Sequence, residues 1–124
     1  MANEVTVTAT LVYSDGSVAS FTRTLSALGV TVTTKKFIHH VQSIGTSEEA
    51  LDLGELVAPL GWAWFKNLDS TNYVEVRMAT GASNDHVRMN AGEPALFRFG
   101  SDVTAPFAIA NASAVLLEYI IVLP

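Results

Sequence analysis

The chain contains no cysteine, which excludes disulfides and thiolate metal sites alike. Charge is scarce: Asp, Glu, Lys and Arg make up 15% of the residues, against about a quarter in an ordinary globular chain. Cations are the scarcer sign, seven Lys and Arg against twelve Asp and Glu, for a net charge of −5. That balance argues against a nucleic-acid partner, because such binding draws much of its affinity from neutralised phosphates. The longest nearly apolar run, AVLLEYIIVLP at residues 114–124, is too short to span a bilayer as a helix. MANEVTV has neither a basic region nor an apolar stretch, so no signal peptide is expected. The expectation is a soluble protein made in a cytoplasm, with no membrane partner. Catalytic signatures are missing as well: no GxSxG, no glycine-rich phosphate loop and no Cys–His pair. Neither enzyme activity nor a cofactor is expected.

What is present is apolar, 49% of 124 residues. That length suits one domain, 1–124, with its own core. So little charge on so small a domain predicts that other subunits cover part of its surface.

The apolar residues follow the strand period. EVTVTATLVY sets Val5, Val7, Ala9, Leu11 and Tyr13 on one face and mainly threonines on the other. Bringing Ala19 and Phe21 to that apolar face requires an odd-numbered connection. A Ser14-Asp15-Gly16 loop with Gly16 left-handed satisfies it. Gly29 reads as a break, followed by strands at 30–34 and 36–44. In GTSEEALDLGEL, Thr46 or Ser47 ahead of Glu48 and Glu49 reads as a cap for one short helical turn near 47–52. Residues 62–67 and 73–79 read as a hairpin around NLDSTN. Strands at 86–89, 95–99, 107–110 and 115–123 complete an all-β, single-domain antiparallel β-sandwich of about eight strands, jelly-roll-like.

Two stretches carry most of the functional information. In the last strand Val115, Leu117, Tyr119, Ile121 and Leu123 share one face, and Leu116, Ile120 and Val122 share the other with Glu118. A strand apolar on both faces is covered on both, so its second face is expected to meet another subunit or a loop. In GWAWFKN, matching apolar to apolar puts Ala63 and Phe65 inside with Val74 and Val76. Trp62 and Trp64 then fall beside Glu75 and Arg77, outside the core. The opposite register, with both indoles inside, would leave Phe65 in water. Trp62, Trp64, Arg77, Leu116, Ile120 and Val122 are therefore the protein-interface candidates.

Metal sites are not expected. His39 and His40 are neighbours on a strand and point to opposite faces. The carboxylates Glu48, Glu49, Asp52 and Glu55 read as a solvated acidic face, not the cleft-spanning pair of a glycosidase. Asn67, Asp69 and Asn72 lack the spacing of a calcium loop and suit turns closed on their own backbone. AGEP resembles a strand-joining turn of cupins, but the cupin metal ligands do not accompany it.

EVTVTATL, VQSIGTSEEALDLGEL, FKNLDSTNYVEV, NAGEPALFRF and LLEYIIVL together resemble small structural proteins of tailed bacteriophages. The resemblance covers most of the chain from Val41 onward, and the N-terminal hairpin more loosely. It implies a virion component of jelly-roll or sandwich type, most directly a head decoration (cement) protein. Such a protein would work as a homo-oligomer, with a trimer expected. It would bind the major capsid protein at the head surface after assembly in a bacterial cytoplasm. The arm Met1, Ala2, Asn3 and Glu4 would then be a capsid contact, adding a strand to a neighbour. A tail fibre or baseplate module, with Trp62 and Trp64 stacking on a host glycan, is the alternative.

Overall fold

The computed structural model describes residues 4–14, 16 and 20–124. The chain divides into two compact units, Met1–Thr33 and Thr34–Pro124. All its regular structure is β, and no helix occurs among the described residues.

The first unit is a ribbon of β1 (Val5–Ser14) paired antiparallel with β2 (Ser20–Val30). Tyr13 lies opposite Phe21, rings stacked at 5.5 Å, and Leu11 lies opposite Arg23. The faces match the sequence pattern, and Gly16 is left-handed at φ 75°. The connection is longer than expected, because Ser14 still pairs with Ser20. Asp15 and residues 17–19 lie outside the described residues. Gly29 does not break the strand, which runs through it to Val30.

A bulge explains how Leu25 and Leu28, an odd number of residues apart, share one face. The register shifts between Val7 and Ala9. Ala27 takes a left-handed φ of 50° there and donates its N–H to Thr8 Oγ1 at 3.3 Å. One extra residue on β2 restores the alternation.

The second unit is the sandwich. Its strands are β3 (Phe37–Ile44), β4 (Glu49–Ala50), β5 (Trp62–Asn67), β6 (Val74–Arg77), β7 (His86–Met89), β8 (Pro94–Arg98), β9 (Phe107–Ala110) and β10 (Val115–Val122). One sheet has the order β3-β10-β5-β8 and the other β4-β9-β6-β7, every pairing antiparallel. The chain crosses between sheets at every connection except β6–β7. The inward faces share one core, in which Ile44, Phe65, Val74, Val76, Leu117, Tyr119 and Ile121 are fully buried. Phe65 stacks on Phe97 at 5.5 Å and meets Phe99 and Tyr119.

Two expectations change here. Residues 47–52 form no helical turn. The Glu49 carboxylate accepts the Gly45 N–H at 2.9 Å and the Gln42 amide at 3.2 Å, and Glu49–Ala50 pairs with β9 as β4. The polar signal is that of a cap, but Gly54 follows too soon for a helix to propagate. Residues 62–67 and 74–77 also form no hairpin. β5 lies between β10 and β8 in one sheet, and β6 between β9 and β7 in the other.

Candidate interaction surface

Period-two alternation determines which side chains leave the sandwich. Along β5, Ala63, Phe65 and Asn67 point inward, while Trp62, Trp64 and Lys66 are half-buried on the outer side. β10 sits between β3 and β5, so its outward residues form the middle of the same face. Ile120 lies opposite His39 on β3 and Trp64 on β5. Trp64 in turn lies opposite Leu96 on β8, and Trp62 opposite Arg98. Val122 pairs with Phe37, and Leu116 with Ser43.

The outcome is an apolar outer face across four strands. Phe37 is 67% exposed and Leu116 51%, with Val41 and Leu96 close behind. Trp62, Trp64, Ile120 and Val122 stand half-buried between them. The polar groups of this face are few. Glu118 and His39 are 2.7 Å apart, and Lys66 stands opposite Glu118 in register. The Trp62 indole N–H is shielded and has no acceptor among the described residues.

Five of the six interface candidates thus share one face: Trp62, Trp64, Leu116, Ile120 and Val122. Arg77 does not join them. The expectation that the tryptophans lie beside Glu75 and Arg77 is overturned, because β5 and β6 belong to different sheets and their outward faces look opposite ways. Phe37, Val41 and Leu96 were missed. Their alternation with His39 and Arg98 resembles that of any half-exposed strand until the neighbouring strands are known. Of the arm, Met1, Ala2 and Asn3 lie outside the described residues. Glu4 accepts the Val32 N–H at 3.2 Å.

The other outer face carries a charge network beside half-buried Phe107 and Ile109 on β9, and two of its buried nitrogens, Arg77 Nε and His86 Nδ1, have no partner among the described residues. Glu75 is buried and accepts from Arg88 at 3.0 Å and Arg77 at 3.2 Å, with His86 at 3.4 Å. Arg77 also reaches Glu48 at 2.8 Å, and Glu48 accepts from the Thr80 hydroxyl and the Gly81 N–H in the β6–β7 turn. The Arg88 guanidinium lies 3.8 Å from the centre of the Tyr73 ring, a cation–π contact. The acidic segment is therefore not one solvated face. Glu48 and Glu49 brace separate turns, and Asp52 accepts the Gly54 N–H at 2.9 Å.

The electrostatics predict acid sensitivity. Hydrogen bonds from Thr80, Gly81 and Arg77 hold Glu48 below the usual carboxylate range. Burial pushes Glu75 up, but bonds from Arg88 and Arg77 and the nearby charges outweigh it, and the net shift is down. The N–H groups of Asn72 and Thr71 lower Asp69. A carboxyl with a depressed folded pKa stabilises fully above its unfolded value, and the contribution disappears as pH falls through the folded one. These groups should leave the melting temperature level between about pH 7 and 5 and lower it below about pH 4.5. Glu75→Gln should melt lower at pH 7 and show a shallower acid slope. A slope equal to the parent's would remove Glu75 from the explanation.

The NLDSTN loop is occupied with its own backbone. Asp69 Oδ2 accepts the N–H groups of Thr71 and Asn72 at 2.9 and 2.6 Å. Asn67 is buried and bonded on both ends of its amide. His39 and His40 do face opposite ways, His40 lying 3.7 Å from Asp52 and edge-on to Tyr119. Among the described residues no three His, Asp or Glu side chains gather as metal ligands. Comparison with protein families, curated proteins and solved structures gives no match.

Proposed function

We propose that this chain is a non-enzymatic virion structural protein, a capsid decoration (cement) protein that binds the assembled head as a homo-oligomer. A trimer is the expected form, and the major capsid protein the expected partner. One observation carries the reading. A β-sandwich whose second outer face carries an ion-pair network leaves the β3-β10-β5-β8 face apolar, with two tryptophans on one of its inner strands. A patch of that kind on a small domain marks a protein contact. The resemblance to tailed-phage structural proteins supplies the setting, the head surface of a virion.

Purified protein mixed with undecorated expanded heads should co-sediment and raise their heat resistance. Trp64→Glu and Ile120→Lys, both outward on the sheet, should weaken that binding at least tenfold, about 1.4 kcal/mol, while retaining the parent's melting temperature within a few degrees. No co-sedimentation and no gain in heat resistance would sink the proposal. A tail fibre or baseplate module that binds a host glycan remains the second reading, on the strength of the accessible tryptophans. It is weakened by the Asn67 amide and Asp69 Oδ2, which are committed to backbone partners. Saturable glycan-array binding lost in Trp62→Ala would favour it over decoration.

A further inference from the structure

The chain carries a second apolar face, on the β1–β2 ribbon. Leu11, Tyr13, Phe21, Leu25 and Leu28 are all exposed, and the pairings put them on one side. The opposite side carries Thr6, Thr10, Thr22 and Thr24. Two strands alone are marginal in water and need a layer over their apolar face. We infer that the apolar face of this ribbon seats on the outer face of the β3-β10-β5-β8 sheet of a second copy. The inference rests on reading that sheet face as a protein contact and names the occupant.

Area and charge select this occupant. At exposures between 41% and 63%, the five ribbon side chains offer on the order of 450 Å². Phe37, Val41, Leu96 and Leu116 on the sheet offer about 400 Å², before any contribution from the tryptophans. A reciprocal exchange between two copies would cover about 1,700 Å², the size of a standard stable interface. A larger closed ring gives each copy the same two contacts.

Charge separates the alternatives. Arg23 sits amid the ribbon's apolar face, opposite Leu11. Among the described residues its guanidinium reaches only the neighbouring Thr22 carbonyl, at 3.5 Å. Ribbon packed on ribbon would place two such guanidinium groups in one apolar contact, at a desolvation cost with no return. The sheet face instead offers Glu118, whose carboxylate has acceptor positions left beyond His39. The other outer face has its carboxylates Glu48 and Glu75 committed to Arg77 and Arg88.

Sedimentation equilibrium of the full chain tests the inference, with melting followed by circular dichroism as the control for folding. The parent should associate reversibly, and Leu11→Glu should raise its dissociation constant at least tenfold. Arg23→Glu and Glu118→Arg should each weaken association, and the two together should restore most of it. A parent that stays monomeric at high concentration overturns the inference. So does a Leu11→Glu variant that associates like the parent, or a charge swap that restores nothing. Association that behaves as expected in a protein that ignores heads would leave this contact standing and remove the decoration reading. Head binding by a strict monomer would remove this contact and the expected trimer, and leave only the head-binding part of the decoration reading.

Discussion

Asn67→Ala is expected to destabilise the sandwich by about 3–5 kcal/mol, which for a unit of this size lowers the melting point by roughly 15–25 °C. Asn67 closes β5 and has no exposed surface. Its Nδ2 donates to the carbonyls of Asn72, Met89 and Asn90 at 2.8, 3.1 and 3.3 Å, and its Oδ1 accepts the Asp69 N–H at 2.9 Å. Its backbone N–H bonds the Glu93 carbonyl at 3.0 Å. One side chain thus joins the β5–β6 crossover to the end of β7 and the turn before β8. Alanine removes the donors and leaves buried acceptors unpaired, at about 1–3 kcal/mol each. Asn67→Asp retains the bond from Asp69 but turns a carboxylate toward three carbonyls, so it should cost at least as much. Urea unfolding followed by tryptophan fluorescence measures both. A loss under about 1 kcal/mol for Asn67→Ala would show that water or a shifted loop replaces the amide.

The same residue shows where sequence reasoning stops. NLDSTN has the composition of a tight turn, and the side chains do close turns on their own backbone. Alternation correctly placed Ala63 and Phe65 inward, with Trp62 and Trp64 outward. It identifies which residues of a strand share a face, and is silent on which strand lies alongside. The neighbours of β5 are β8 and β10, tens of residues away, so the local pattern could not distinguish a hairpin from a crossover. Arg77 was grouped with the tryptophans on that error alone.

β10 was legible for the opposite reason. A run apolar on both faces fits a central strand whether or not its neighbours are known. Its inner residues are in fact fully buried and its outer ones only half covered. The charge network of the second sheet left no trace in the sequence. Glu48, Glu75, Arg77, His86 and Arg88 are spread over forty positions and converge only because β6 pairs with β7, while β9 brings β4 and Glu48 alongside β6.

The other large effect is expected at the glycine that opens GWAW. A Cβ built on Gly61 would sit 2.5 Å from the Val122 carbonyl oxygen, 3.1 Å from the Pro124 nitrogen and 3.3 Å from the Leu123 carbonyl carbon. All three are backbone atoms at the end of the central strand, so none can rotate away as a side chain would. Gly61 has no left-handed φ, and the requirement is one of space alone. Its carbonyl also holds the Phe99 N–H at 3.1 Å, so β5 cannot retreat from β10 without disturbing the end of β8. Gly61→Ala should therefore cost about 3 kcal/mol or more, at the upper end for an added methyl in a packed site. It should also separate the ends of β5 and β10, moving Trp62 and Val122 apart on the outer face. Self-association should then weaken at temperatures where circular dichroism still reports a folded sandwich. Gly100→Ala is the comparison, since its Cβ would meet the Asp102 carboxylate at 2.9 Å, the end of a side chain that can turn aside. If both variants melt and associate alike, the close approach of β5 to β10 is not what Gly61 provides.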